Sequence, residues 1–293
     1  MTQDKYIHFT LGDGAVRGLF AVTTQSVQEA QRIHQSSPVC TAALGRLMTG
    51  TGMLGVQLKD EHASVTVTIE GGGPMGRLLC VADTQSVRVD TDNPQVTVEN
   101  HKSGKLNVGA AVGKDGRMTV VKDLLLRTPY IGQTPLVSGE IGEDFAMYFA
   151  QSEQQPSLVS LGVLVKGDEV LAAGGLLLQP LPDCPEEVVS QLELRSPIYG
   201  DLSTALYHEE PDALIASWFD GLNPVALEET PFCYRCYCSR ERMEKALISL
   251  GEKELTDMIQ DEIEGADLKC HFCHKEYHFS THDLIRLLNR ATR

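Results

Sequence analysis

PVCTAALGRLMTGTGMLGVQL, Pro38 to Leu58, is the stretch on which the fold turns. Its residues are apolar or small nearly all round, and Arg46 carries its only charge. A helix without a polar face has to be buried on all sides. The stretch is therefore expected to be a central helix sandwiched between layers, with Gly45, Gly52 and Gly55 permitting close approach.

The flanks supply the layers. YIHFTLGDGAVRGLFAVT (Tyr6–Thr23) reads as two strands around a Gly-Asp-Gly turn. TTQSVQEAQRIHQ follows as a helix, with Val27, Ala30 and Ile33 at helical spacing and Thr23 or Thr24 as its cap. Downstream, SVTVTIE and GRLLCVAD alternate at the strand period, and VRVD, QVTVEN and RMTVVKD read as further short strands. GEDFAMYFAQSEQ is expected to be a helix, and SLVSLGVLVKGDEVLAAGGLLLQPL a hairpin around Lys166-Gly167-Asp168. The Val and Leu runs of that hairpin suggest strands buried on both faces.

The texture changes at QPLPDCPEE, where Pro180, Pro182 and Pro185 mark a boundary. From there to Glu229 the strand pattern disappears. EEVVSQLEL, DLSTALYHEE and PDALIASWFDGL read as short helices interrupted by Pro197, Gly200, Pro211 and Gly221. Leu214, Ile215 and Trp218 form one apolar stripe. Helices this short are marginal alone and must lean on something. The expected organisation is an α+β core domain over residues 1–180, with β-sheets around a buried helix. A helical linker over 181–230 and a small metal-binding domain over 231–293 follow.

Hydrophobic content of 42% over 293 residues is enough for a real core. A net charge of −15 argues against a nucleic-acid partner. The opening, MTQDKYIHFTLGDG, has no basic segment followed by an apolar run, so no signal peptide is expected. Nothing approaches the roughly 18 consecutive apolar residues of a membrane span, so no membrane partner is expected. GGGPMG, Gly71 to Gly76, matches a dinucleotide fingerprint, but a strand follows it where that site needs a helix. No phosphate-binding loop of the GxxxxGK type is present, and no nucleotide is expected.

The chemistry is concentrated near the C-terminus. Five of the eight cysteines lie in PFCYRCYCSR (Pro231–Arg240) and KCHFCHKEYHF (Lys269–Phe279). Cys236 and Cys238 form C-x-C, Cys270 and Cys273 form C-x-x-C, and 31 residues separate the pairs. Two close pairs around a folded insertion are the usual form of a tetrahedral four-thiolate zinc site. Spacing also admits Cys233 with Cys236 as the first pair, and His271, His274, His278 and His282 as ligands. Cys40, Cys80 and Cys184 read as ordinary buried thiols. In a segment of this size a structural metal outweighs the segment's own packing. Thiolates are also the oxidisable form of sulfur, so the same site is a staple and a fuse. His208-Glu209-Glu210 echoes the H-x-E of zinc deaminases, but it would leave Cys238, Cys270 and Cys273 without a role. A thioredoxin-like C-x-x-C needs a following helix, and Cys270 precedes strand and turn. No catalytic residue is assigned and no enzyme is expected. The competing class is a structural-zinc module that binds its partner constitutively.

CYCSRERMEKALISLGEKEL and CHFCHKEYHF resemble the C-terminal redox switch of the heat shock protein 33 family. AALGRLMTGTGMLG, VTIEGGGPMG, VVKDL, SGEIGEDFAMYF and LAAGGLLLQPLP resemble its core domain. The resemblance implies a cytoplasmic, ATP-independent holdase chaperone. Reduced, it would hold one zinc ion through Cys236, Cys238, Cys270 and Cys273 and be inactive. Oxidation would release zinc, form Cys236–Cys238 and Cys270–Cys273 disulfides, and unfold the zinc domain and linker. The exposed apolar surface would bind unfolding client proteins, with formation of a homodimer. Cys233 departs from the family pattern as an additional thiol, and a Cys233–Cys236 ring could compete for the first disulfide.

Overall fold

The computed structural model describes residues 3–261 and 265–291. They fall into two compact units, Met1–Arg235 and Cys236–Arg293. No helix among the described residues is long and apolar enough to cross a membrane.

The first unit has two sheets and confirms the α+β class. One sheet contains β1 (Lys5–Leu11), β2 (Val16–Val22), β8 (Leu158–Lys166), β9 (Glu169–Pro180) and β10 (Val225–Pro231). Its order is β10-β1-β2-β9-β8, antiparallel throughout. The other contains β3 (Ser64–Glu70), β4 (Arg77–Ala82), β5 (Ser86–Thr91), β6 (Arg117–Asp123), β7 (Tyr130–Pro135) and β11 (Cys233–Tyr234). Its order is β11-β5-β4-β3-β6-β7, with β11 parallel to β5.

The decisive stretch forms α2 (Pro38–Gly55), in which only Pro38 and Arg46 escape full burial. Its side chains share one core with Val65, Val67 and Cys80 of one sheet and Leu19, Ala173 and Leu177 of the other. The helix is thus the filling between the layers, and the short α3 (Val108–Val112) and the expected helix α4 (Gly142–Gln151) follow it in the same unit. A Cβ on Gly52 would collide with the Tyr6 hydroxyl, and one on Gly55 with the Asp83 carbonyl. Arg46 escapes sideways to Glu140, which it meets at 2.5 Å.

Sheet periodicity explains the apolar runs beside the helix. Successive side chains on a strand point to opposite faces. On β2, Leu19 and Ala21 face the central core, whereas Phe20 and Val22 join a second cluster. On β9, Ala173 and Leu177 divide from Leu176 and Leu178 in the same way. The second cluster is closed by α5 (Glu186–Tyr199), α6 (Leu202–His208) and α7 (Pro211–Trp218). Leu214, Ile215 and Trp218 are all buried there, with Trp218 against Phe20 and Tyr199. Burying such side chains contributes roughly 1.5–3 kcal/mol each. That is what holds three short helices that could not stand alone.

Several local expectations change. Thr23 stands at the N-cap of α1 (Thr24–His34), as expected, but its side chain makes no capping hydrogen bond. Thr23 Oγ1 meets Thr49 Oγ1 at 2.7 Å instead, and Thr24 Oγ1 accepts from the Ala173 amide. Buried Asp4 does the capping from outside, accepting from the Gln25 and Ser26 amides at 2.9 and 2.6 Å. Gln95–Asn100 is not a strand. Val96 is buried beside the start of α2, and its carbonyl accepts from Ser37 Oγ, so packing rather than a ladder absorbs the alternation. Pro197 does not break α5, which runs on to Tyr199. β8 is half-exposed rather than buried on both faces, because it is an edge strand. Val225–Pro231, expected to lack strand, pairs with β1. The Gly-Asp-Gly turn is as expected, with Gly12, Asp13 and Gly14 all at positive φ. The Gly71–Gly76 stretch is a β3–β4 connection, with no helix beginning there.

In the second unit, β12 (Ala266–Lys269) and β13 (Glu276–Phe279) form a hairpin. Around it lie α8 (Arg240–Leu250), α9 (Glu252–Asp261) and α10 (Thr281–Ala291). Its core is small: Leu247, Leu255, Ala266, Tyr277, Phe279, Leu284 and Leu287. Ser280 and Asp283 cap α10 reciprocally, each amide donating to the other's side chain at 3.2 Å. Arg240 ties the pieces together, donating to the His278 carbonyl and Asp283 while lying over the Phe279 ring. The end of the last expected segment, 292–293, lies outside the described residues.

Candidate metal centre

Two local structures bring the four cysteines together. Cys236 and Cys238 lie immediately before α8, whose N-terminus is fixed by the Arg242 amide donating to Ser239 Oγ at 3.3 Å. Cys270 follows β12 directly. Its amide donates to the Lys275 carbonyl at 2.9 Å, and the His274 amide donates to the Cys270 carbonyl at 2.8 Å. With His274 at φ +57°, the chain doubles back and brings Cys273 to Cys270.

All four sulfurs lie within 4.8 Å of one another. Cys236 Sγ is 3.6 Å from Cys270 Sγ, and Cys238 Sγ is 3.3 Å from Cys273 Sγ. A tetrahedral ion bound at the usual zinc–sulfur length of about 2.3 Å requires sulfurs about 3.8 Å apart. The cluster fits a metal ion of that kind. Among the described residues these four cysteines are the group able to hold an ion, and no histidine joins it. His278 Nδ1 meets Asp267 at 2.8 Å.

The electrostatics agree with the geometry. Burial pushes the Cys236 thiol well up and that of Cys273 up to about 11. Burial also pushes at Cys238, but hydrogen bonds, first from Tyr277 and then from the neighbouring thiols, outweigh it and bring that thiol below its ordinary value. Four thiolates this close repel one another unless a cation lies among them. The Tyr277 hydroxyl donates to Cys238 Sγ at 3.2 Å. Such outer contacts orient metal ligands. Tyr277 was not singled out from the sequence, where its only signal is an aromatic residue beside the second cysteine pair.

The remaining thiols are elsewhere. Cys40 and Cys80 are buried, and burial raises Cys80 to about 12. Cys184 is half-buried beside the α5–α7 cluster. Cys233 sits on β11 in the first unit, its amide donating to the Gln85 carbonyl at 3.1 Å. His208 ends α6, and Glu210 stands at the N-cap of α7, so both belong to the helical layer.

A sandwiched-helix α+β unit followed by a small unit built on four thiols defines the class: a two-unit protein with a cysteine-based, metal-competent C-terminal module. A family model described as Hsp33 protein matches residues 4–280. The 33 kDa chaperonin of Clostridioides difficile (strain 630) is 43% identical over 288 residues, covering 98% of this chain and 99% of that one. The 33 kDa chaperonin of Alkaliphilus metalliredigens is 45% identical over 291 residues, covering 97% and 98%. The crystal structure of the 33 kDa chaperonin (heat shock protein 33 homolog) from Thermotoga maritima is similar with a TM-score of 0.91 and 34% identity, over 99% of each chain. This chain belongs to the Hsp33 family.

Proposed function

We propose that this chain is a redox-regulated, ATP-independent holdase, held inactive while its four C-terminal thiolates bind zinc. The observation that carries the reading is the convergence of Cys236, Cys238, Cys270 and Cys273 in a unit whose own core is small. The chaperonin name of its relatives supports binding of unfolding proteins.

When bound, a zinc ion would supply the cross-link that joins the two cysteine pairs. Oxidation acts on the sulfurs. Hypochlorous acid takes two electrons from a pair of thiolates: one sulfur takes the chlorine as hydroxide leaves, the second sulfur displaces chloride to form the sulfur–sulfur bond, and the pair can no longer act as ligands. In the folded unit the sulfur contacts at 3.6 and 3.3 Å join cysteines of different pairs. That proximity depends on the fold. Once the unit opens, only sequence neighbours remain close, which favours Cys236–Cys238 and Cys270–Cys273. Cys233 offers Cys236 a competing partner.

The division into 1–180, 181–230 and 231–293 is proposed as the order of opening. The metal segment melts first, then the α5–α7 layer. Release of that layer uncovers Leu214, Ile215 and Trp218 together with the sheet face beneath them. Unfolding clients bind there, and a homodimer forms in the cytoplasm of the cell.

The deciding experiment measures zinc content, free thiols and suppression of client aggregation before and after hypochlorite. Zinc-loaded chain is expected to leave a thermally unfolding client to aggregate. Oxidised, zinc-depleted chain is expected to keep it in solution. Equal behaviour of the two forms points instead to a constitutive binding module.

A further inference from the structure

β10 is an unusual edge strand. Its ladder with β1 extends from Lys5↔Pro231 to Thr10↔Val225. Yet its side chains face solvent along nearly their whole length, including Val225 at 52% and Leu227 at 63% exposure. Within its own length it is held by main-chain hydrogen bonding and the Lys5–Glu229 ion pair at 2.7 Å, itself half-exposed, while Phe232, directly after it, is buried with its ring 4.7 Å from that of Tyr6. A register shift between His8 and Phe9 interrupts that ladder. β1 is the opposite case: Tyr6, Ile7, Phe9 and Leu11 are almost completely buried. Strand pairing without side-chain burial is marginal in water, and exposed ion pairs add little. β10 therefore depends on what lies at its two ends, the α5–α7 layer that leads into it and the Phe232 anchor that follows it. Its outer edge carries Glu228, Glu229 and Pro231, residues that discourage further strand addition.

We propose that β10 is a displaceable guard strand, and that the β1 edge beneath it receives an extended segment of an unfolded polypeptide by strand addition. This rests on the holdase reading above and names the surface it would use. The present occupant indicates the kind of ligand. β10 is held by its backbone with almost no side chain buried, so the edge makes few demands on sequence. Main-chain hydrogen bonds supply affinity in strand addition, and side-chain pockets supply selectivity. An edge with the first and without the second suits clients of many sequences. Displacing β10 also removes the charged and proline-bearing edge in the same step.

The test locks the strand. Thr10 and Val225 are directly opposed, neither fully buried, so Thr10→Cys with Val225→Cys is placed to form a staple. Peptide mapping confirms the bond, and each single variant serves as a control. After hypochlorite the stapled chain is expected to release zinc and, like wild type, to uncover Trp218 with a red shift of its emission, but to lose aggregation suppression. Full suppression by the stapled chain overturns the guard-strand proposal. Failure of oxidised wild type to suppress aggregation overturns the holdase reading instead. Hydrogen exchange of unmodified chain gives a second readout. β1 amides facing β10 are expected to lose protection on oxidation and regain it when a client is added; protection unchanged throughout contradicts the proposal.

Discussion

Cys270→Ser is expected to unfold the C-terminal unit outright while leaving the two sheets and α2 of the first unit folded. A unit of this size draws rarely more than about 3–5 kcal/mol from its own core. Structural zinc in comparable peptides contributes about 10–16 kcal/mol at neutral pH. Cys270 is the most deeply placed of the four sulfurs, its residue only 5% exposed, and its backbone closes the turn that delivers Cys273. Removing that sulfur should cost more than the remaining packing can supply. Helical circular dichroism from α8, α9 and α10 should fall, and trypsin should cut at Arg240, Arg242 and Lys245 without digesting the sheets. A Cys270→Ser chain with an intact, protease-resistant second unit would show that packing suffices without the metal.

The other large effect is expected at Leu214. It is 1% exposed in the layer between α7 and the outer face of the first sheet. Removing a buried leucine side chain costs about 2–5 kcal/mol, and leaving a hydroxyl in its place adds a polar group to be satisfied. The α5–α7 helices have little stability apart from this cluster. Leu214→Ser should therefore open the layer without any oxidation. The variant is expected to suppress client aggregation while still holding zinc, and its Trp218 emission should be shifted to the red. A loosened, zinc-loaded variant that leaves aggregation unchanged would separate the helical layer from client binding.

The parts of the fold visible in the sequence were those whose physics is local. α2 announces itself because a helix with no polar face has only one kind of place to go, and the cysteine pairs because their spacing is that of a metal knuckle. β10 was missed for the converse reason. Val225–Pro231 buries neither face, so it shows no alternation, and its extended form comes from a ladder with a strand more than 200 residues away. Gln95–Asn100 shows alternation without a ladder, because Val96 packs beside α2. Asp4 as the cap of α1 and Tyr277 as the donor to Cys238 are contacts between distant residues, and no local pattern encodes them. At the site, spacing located the metal-binding segment but left Cys233 and four histidines as alternative donors, and the family resemblance selected Cys236, Cys238, Cys270 and Cys273. Their convergence required the turn at His274 and the capped start of α8.

Hydrogen exchange followed by mass spectrometry, with zinc release recorded on the same sample, addresses the coupling of metal to fold most directly. After hypochlorite, amides of α8, α10, β12 and β13 are expected to lose protection in step with zinc, while those of β3 and β4 keep theirs. Persistent protection of the C-terminal unit in metal-free, disulfide-bonded chain would contradict the claim that the ion outweighs packing there.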